Sequence, residues 1–295
     1  MDKILYQIKI GLRKFLVQNL LLISPTGSVS KNQEKRFTAL QKEFSNKKVK
    51  EYGYDPVNRL KRSTTRIQEL LSIIPSFKDK QTNLKILEVG CGEGQVGLLL
   101  ENISKEVHLH DLEDWRAPEA KGLPFIQADL GQALSIPDNE FDVIFSYNSW
   151  EHVPDPALAT QELIRICKPS GYIFLSFGPL FNSPNGLHAY RSMYMPYPQF
   201  LFTEDFINHQ LKSLGIDDLG EKRDELQPLN RWSLQQFEAL FQDLKDQVDI
   251  KLWTTGNNYR GLNTILQYRS LFANTKLSLK ELTTQNIKVL MQKKQ

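Results

Sequence analysis

Short apolar runs alternate with amphipathic stretches between residues 85 and 177. Runs of this length predict strands, and the longer stretches with a period near 3.6 residues predict helices. The predicted strands are 85–89, 107–110, 125–126, 141–146 and 172–177, and the predicted helices are 95–102 and 157–167. Because alternation of strands and helices is typical of βαβ units, the pattern predicts a parallel sheet with helices on both faces.

The alternation stops after Gly178. Residues 179–231 are rich in Pro, Asn and Tyr, contain one predicted helix at 203–214, and are interpreted as an insertion after the fifth strand. The pattern then resumes with predicted helices at 233–244 and 261–271 and predicted strands at 248–253 and 286–291. Residues 79–295 are therefore predicted to form an α/β, Rossmann-like domain with a seven-stranded, mostly parallel sheet.

Residues 1–78 have a different pattern, which predicts a helical N-terminal extension with a turn at 51–56. Its first part, 4–23, is rich in Ile and Leu but is interrupted by Lys9, Arg13 and Lys14. That is too much charge for a membrane-spanning helix and predicts an amphipathic one. We expect this helix to pack on its own domain or on a partner subunit, and contact with a membrane surface is the alternative.

Charge is distributed unevenly along the chain. Residues 1–80 hold 17 Lys and Arg against 7 Asp and Glu, which leaves 37 − 17 = 20 basic and 34 − 7 = 27 acidic residues for the remainder. We interpret the basic part as a solvated extension and expect no nucleic-acid partner, since no motif of interleaved aromatic and basic residues is present. Oligomerisation stays open.

Two cysteines, Cys91 and Cys167, exclude a disulfide framework and are typical of a reducing cytoplasm, where we expect the protein. Neither lies in a spacing that binds metal, so no metal site is predicted.

A glycine-rich segment follows the first predicted strand. Its sequence, Glu88-Val89-Gly90-Cys91-Gly92-Glu93-Gly94, ends that strand and begins a helix. Glycines there let the backbone turn tightly and approach a ligand, while the helix start offers N–H groups. Residues 92–97 also satisfy the GxGxxG pattern of dinucleotide-binding proteins, so this segment predicts a nucleotide ligand without choosing one.

Two acidic residues narrow the choice. Asp111 ends the second predicted strand, where a carboxylate accepts hydrogen bonds from ribose hydroxyls in either NAD or another adenosine ligand. Asp129, followed by Leu130, comes after the third strand, where an acid can accept from an adenine amino group. Together they favour an adenosine-containing cofactor.

The order of motifs resembles the class I S-adenosylmethionine-dependent methyltransferases. It comprises the glycine segment, Asp111, Asp129-Leu130, the run Pro137-Asp138-Asn139-Glu140-Phe141-Asp142, and Asn148 to Pro156 with Glu151-His152-Val153 at its centre. The nearest subgroup is the small-molecule, type 11 branch that includes the ubiquinone and menaquinone C-methyltransferase-like enzymes. Residues 80–180 carry the resemblance strongly and the C-terminal strands weakly. One departure is Ser170, which stands where the family has a glycine.

The resemblance implies S-adenosylmethionine as the cofactor and assigns its contacts. Glu88 and Gly90 would lie near the methionine amino group, and the backbone of Cys91, Gly92 and Gly94 would flank the nucleoside. Asp111 would hold the ribose with Leu112 against the adenine. The remaining implied contacts are Asp129 on the adenine amino group, Leu130 beside it, and Asn148 under the sulfonium.

The acceptor side of the predicted site is less well defined. His188 lies in a turn-rich loop directly after the fifth strand, at the edge of the sheet where open α/β proteins bind ligands. We predict it as a general base in the acceptor pocket, with His152 as a second catalytic candidate. Tyr147, Tyr190 and Arg191 are predicted to contact the acceptor.

These assignments predict methyl transfer to a small-molecule acceptor in natural-product or other specialised biosynthesis. O-methylation is favoured because His188 is a plausible base, and C- or N-methylation stays open. Two alternatives remain at this point. One is an NAD-dependent oxidoreductase, which depends on the GxGxxG match, and the other is an inactive methyltransferase-like binding subunit.

Overall fold

The computed structural model describes residues 2–47, 55–78, 83–104, 106–218, 221–223 and 225–295. Most of the turn predicted at 51–56 lies outside these residues. Among them the helices are α1 Asp2–Ile23, α2 Gln33–Phe44, α3 Pro56–Ile73, α4 Pro75–Lys78, α5 Gln95–Leu100, α6 Pro156–Ile166, α7 Pro198–Leu201, α8 Glu204–Leu214, α9 Leu234–Asp243, α10 Leu262–Gln267, α11 Arg269–Ala273 and α12 Leu279–Thr283. The strands are β1 Lys85–Val89, β2 Glu106–Asp111, β3 Phe125–Gln127, β4 Phe141–Tyr147, β5 Cys167–Phe177, β6 Ile216–Asp218, β7 Glu221–Arg223, β8 Val248–Asn257 and β9 Thr284–Lys293.

The chain divides into two compact units. The sheet unit comprises the described residues within Tyr52–Gly178, Gln236–Thr254 and Ile287–Gln295, and the helical unit those within Met1–Glu51, Pro179–Gln235 and Thr255–Asn286. This division groups α3 with the sheet. The domain boundaries predicted after residues 78 and 178 stay predictions.

Within the described residues, seven strands form one mixed sheet in the order β3-β2-β1-β4-β5-β9-β8. Strand β1 pairs in parallel with both β2 and β4, β3 extends the parallel part on one side, and β5 extends it on the other. Strand β9 then pairs antiparallel to β5. The predicted Rossmann-like fold is confirmed, and its strand order reverses between β1 and β4, where such sheets bind ligands.

Two helices of the sheet unit begin with the same Asp-Pro pair. Asp55 accepts hydrogen bonds from the backbone N–H groups of the first turn of α3, and Asp155 does the same for α6. In each case proline follows at the first helical position, where it has no hydrogen bond to lose. These local signals determine where each helix starts.

One core of the sheet unit lies between α3, α5 and the sheet. Leu70 and Ile74 on the α3 side pack with Val96 and Leu100 of α5 and with the apolar residues of β1, β2 and β4. The largest difference between a strand and its prediction is at β5, which begins at Cys167 instead of residue 172. Its register with β4 shifts between Phe141 and Val143, which accommodates Ser170 at φ 63°.

The helical unit has a separate core, which includes residues from all three of its chain segments. Ile10 and Val17 of α1, Phe37 of α2, and Tyr197 and Phe272 are buried together in it. The single helix predicted at 261–271 is interrupted at Tyr268, whose φ of −112° and ψ of 32° are not helical, and forms α10 and α11. The antiparallel pair of β6 and β7 was not predicted. None of the described helices is both long and apolar enough to span a membrane.

Candidate cofactor site

The loop between β1 and α5 has the backbone conformation that its glycines predicted. Gly90 and Gly92 have φ values of 65° and 51°, in the left-handed region that disfavours other residues. A Cβ on Gly90 would lie 2.1 Å from the Ser149 hydroxyl oxygen, whereas a Cβ on Gly92 would have nothing within 4 Å. Gly90 therefore permits close packing against the loop after β4, and Gly92 borders open space beside the strand ends.

Asp111 is connected to this loop by hydrogen bonds. Its Oδ2 accepts from the Gly92 N–H at 2.8 Å and its Oδ1 accepts from the Leu112 N–H at 2.8 Å. Burial raises the pKa of Asp111, while those two N–H groups partly oppose the shift. A carboxylate oxygen has two lone pairs, so each oxygen keeps capacity for one ligand hydroxyl.

Glu88 lies on the other side of the loop and is fully buried. Its Oε2 accepts a hydrogen bond from the Gly97 N–H of α5 at 2.8 Å. Burial raises the pKa of Glu88 to about 8, against the opposing effects of that N–H and of the Arg66 guanidinium. A buried acid of this kind favours a cationic ligand group, which would compensate its charge.

The predicted adenine contacts and the residue after β4 have different degrees of exposure. Asp129 is exposed and its Oδ1 accepts from the Gly131 N–H at 2.8 Å. Leu130 is buried, whereas Leu112 is 60% exposed. Asn148 is exposed, has a φ of 54°, and donates its backbone N–H to Ser176 O at 2.8 Å.

Cys91 is buried in the same loop, and burial raises the pKa of its thiol. A thiol in that state is a packing group and not a nucleophile, so the Cys91 backbone is the part suited to contact a ligand. Gly94 has a φ of 72° and directly precedes α5.

Tyr147 points into the core of the sheet unit. Its hydroxyl donates to Arg66 O at 3.0 Å and lies 3.2 Å from Glu69 Oε2. Burial raises the pKa of Tyr147, and the Arg66 guanidinium lies 4.7 Å from its ring centre. The Tyr147 hydroxyl is therefore already hydrogen-bonded to α3. Its predicted contact with the acceptor stays a prediction.

Three polar residues near the ends of β2 and β4 were not among the predicted site residues. Glu151 Oε2, Ser146 Oγ and both ring nitrogens of His110 are buried and have no hydrogen-bond partner among the described residues. Burial raises the pKa of Glu151 and lowers that of His110 to about 4. The sequence motif contains Glu151-His152, yet nothing in it indicates which of the two side chains is buried.

The predicted acceptor-side residues other than Tyr147 and His152 lie in the helical unit. His188 has a φ of 61°, and its Nε2 lies 2.9 Å from Pro179 O. Because a carbonyl oxygen only accepts, Nε2 carries the proton, and Nδ1 is the basic nitrogen of the neutral ring. The Arg191 guanidinium lies 5.9 Å from the Tyr190 ring centre.

Consecutive turns order the loop that holds His188. Backbone hydrogen bonds join Ser183 to Leu180, Gly186 to Ser183 and His188 to Asn185. Ser183 Oγ and Asn185 Oδ1 are buried and have no partner among the described residues. They are further candidates for ligand contacts that the sequence did not distinguish from ordinary loop residues.

Comparison with known proteins agrees with the motifs. The family model described as "Methyltransferase domain" matches residues 87–175. The chain is 33% identical over 98 residues to 2-methyl-6-phytyl-1,4-hydroquinone methyltransferase of Synechocystis sp., covering 31% of each protein. It is 30% identical over 176 residues to a malonyl-[acyl-carrier protein] O-methyltransferase of Paenibacillus sp., covering 54% of this chain and 62% of that protein.

A third relative is the 27-O-demethylrifamycin SV methyltransferase of Amycolatopsis mediterranei, at 28% identity over 47% of this chain and 54% of that protein. The chain thus spans between 31% and 62% of the length of these relatives. Residues 87–175 form a methyltransferase domain of the S-adenosylmethionine-dependent kind, and the resemblance stated from the motifs is confirmed.

Proposed function

We propose that the whole protein transfers a methyl group from S-adenosylmethionine to an oxygen atom of a small-molecule acceptor. The arrangement at the ends of β1 and β2 is the observation that supports this most directly. Asp111 accepts from the Gly92 N–H, and Gly92 itself borders open space that a ligand can occupy. We also propose that the reaction belongs to natural-product or other specialised biosynthesis and that the protein is located in the cytoplasm.

The residues present are suited to that cofactor. Asp111 retains acceptor capacity for two ribose hydroxyls, and Glu88 provides a buried acid for the methionine ammonium. Asp129 is exposed and can accept from an adenine amino group. We assign the same contacts to Gly90, Cys91, Gly94, Leu112, Leu130 and Asn148 as the resemblance implies.

Bound in this way, the cofactor supplies an electrophilic methyl group, so the chain has to position the acceptor oxygen and exclude water. Holding two reactants in line can lower a barrier by roughly 7–11 kcal/mol. A hydroxyl acceptor also has to lose its proton, and His188 Nδ1 is the group we propose to accept it. His152 is the second candidate, and Tyr190 and Arg191 are proposed to orient the acceptor.

Oxygen is favoured as the methylated atom by the names of two relatives, a malonyl-[acyl-carrier protein] O-methyltransferase and a 27-O-demethylrifamycin SV methyltransferase. Those acceptors belong to the relatives. For this chain we propose only the shared class, a hydroxyl or carboxyl oxygen on a small molecule or a carried acyl group.

Calorimetry with S-adenosylhomocysteine and with NAD tests the cofactor half of the proposal. We expect binding of S-adenosylhomocysteine and none of NAD, and the reverse would favour the oxidoreductase alternative. Transfer of a labelled methyl group to a panel of phenols, carboxylic acids and amines tests the acceptor half. Cofactor binding without transfer to any member would favour the inactive binding subunit, and labelling of amines alone would contradict O-methylation.

A further inference from the structure

The N-terminal helix α1 presents an apolar face to solvent. Ile8, Leu12 and Phe15 are 60%, 59% and 62% exposed. Together with three further exposed residues they form what we call the apolar stripe: Ile4, Leu5, Ile8, Leu12, Phe15 and Leu16. At about 100° per residue these six positions span an arc of roughly 120° along one side of the helix.

The opposite side of α1 holds the helix on its own unit. Ile10 and Val17 are 6% and 0% exposed and belong to the core of the helical unit. The ammonium group of Lys14 lies 3.9 Å from the centre of the Tyr259 ring on that unit. Packing on the unit therefore uses one face of the helix and leaves the apolar stripe to contact something else.

The other positions within and beside the stripe are compatible with a membrane interface. Asn19 lies within the same arc, and its Nδ2 donates to Phe15 O at 2.7 Å, so the amide is hydrogen-bonded inside its own helix. Gly11 borders the stripe, and a Cβ there would meet nothing within 4 Å. Lys9 and Arg13 follow at the other edge of the arc.

The charge of the helix indicates the partner. Asp2–Ile23 contains Lys3, Lys9, Arg13 and Lys14 against the single acid Asp2. Lys9 and Arg13 flank the stripe, so two copies pairing through their stripes would bring these two cations of each helix together, which disfavours self-association. An anionic lipid surface receives the apolar side chains below its headgroups and attracts the cations at their level. We propose that α1 docks this protein, lying in the interface plane, on a bilayer with anionic headgroups.

The proposal goes beyond methyl transfer, because docking depends on α1 alone and needs no cofactor. Co-sedimentation and flotation of the full chain with vesicles of phosphatidylcholine plus phosphatidylglycerol test it. We expect the wild type to bind these mixed vesicles, with the binding weakened at high salt, and to bind phosphatidylcholine alone more weakly and with little dependence on salt. Because Ile8→Gln with Phe15→Gln removes two apolar side chains that would be buried in the bilayer, the pair should weaken binding by at least about 100-fold.

Two further variants separate the apolar contribution from the charge. Lys9→Gln with Arg13→Gln should weaken binding to the mixed vesicles and leave binding to phosphatidylcholine alone unchanged. Gly11→Leu should strengthen binding, since it widens the stripe into open space and replaces a residue that disfavours helix. Val57→Gln is the matched control, because Val57 is an apolar residue on α3 that is even more exposed (76%), and this variant should bind as the wild type does.

Three results would overturn the proposal. The first is a wild type that does not bind the mixed vesicles, and the second is equal binding by the wild type and the doubly substituted Ile8 and Phe15 variant. The third is a dimer in sedimentation velocity without vesicles that the same two substitutions dissociate, since a second copy would then cover the stripe. Circular dichroism of each variant checks that α1 is retained.

Discussion

The sheet unit and the helical unit differ in how far apart in sequence the residues lie that come together in space. In the sheet unit, Glu88, Gly92 and Asp111 lie within 24 residues of sequence. The Asp111 carboxylate accepts a hydrogen bond from the Gly92 N–H, and the Glu88 carboxylate accepts one from the Gly97 N–H. In the helical unit, buried groups come from three separate segments and the exposed face of α1 is apolar. A candidate site at strand ends can therefore be predicted from a local motif, whereas a cluster of residues from distant segments cannot.

Replacing His188 tests the chemistry assigned to the helical unit. His188→Asn removes the proposed base while keeping a residue that tolerates the left-handed conformation. General-base catalysis contributes about 100- to 10,000-fold, so we expect turnover to fall by at least about 100-fold with cofactor affinity unchanged. Rapid-quench transfer assays and calorimetry measure the two quantities. Turnover equal to the wild type would remove His188 from the mechanism.

Replacing Asp111 tests the sheet unit in the same way. Asp111→Ala removes the acceptor of two backbone N–H groups and of the proposed ribose hydroxyls. Two hydrogen bonds to a charged group correspond to roughly a 100-fold or greater loss of affinity for S-adenosylhomocysteine. Calorimetry measures it, with thermal unfolding as the control for folding. Undiminished affinity in the folded variant would contradict the site assignment.

Close packing in the sheet unit predicts a stability effect at Gly90. An added Cβ would lie 2.1 Å from Ser149 Oγ and 2.6 Å from Ser149 Cβ, on a residue with φ 65°. Strain and overpacking together predict that Gly90→Ala lowers the free energy of unfolding by about 2–5 kcal/mol. Urea titration measures this, and adding Ser149→Gly should restore the overpacking part. If the second substitution restores nothing, the two loops do not pack as described.

A change in pH dependence is expected at Glu88. Its pKa in the folded protein is about 8 against an ordinary value of 4.5, so between these values the folded state holds a proton that the unfolded state has lost. The free energy of unfolding therefore falls as pH rises through this window. Glu88→Gln should flatten that decline, as urea titrations at several pH values will measure. Parallel curves for the two proteins would show that Glu88 is not buried as an acid.

Much of the sheet was predictable because each strand is a short apolar run between turn residues. The bounds of β1 matched the prediction, and β2, β3 and β4 differed by a residue or two. The start of β5 did not match the prediction, because the register shift beside β4 depends on pairing between strands. Likewise, the helical pattern at 261–271 did not predict the break at Tyr268, because periodicity does not reveal the backbone dihedral angles of a single residue.

The residues of the candidate site likewise include some that the sequence predicted and others that only the packing revealed. The glycines and acids at the ends of β1 and β2 could be predicted as cofactor contacts, because residue type and spacing determine what their backbone and carboxylates can bind. Glu151, Ser146 and Ser183 were missed, since a polar residue becomes a candidate only when packing buries it without a partner. Arg66 was missed because α3 lies outside the resemblance and reaches Glu88 and Tyr147 only through folding.

By itself the sequence determined the class of fold and the cofactor, because these depend on local motifs at strand ends, and it predicted the residues that contact the cofactor. It also determined that α1 is amphipathic. Only the tertiary structure decided which face of α1 is exposed, since Ile10 and Val17 took the core and left the apolar stripe outside. Periodicity locates an apolar face, whereas burial depends on which residues distant in sequence pack against it.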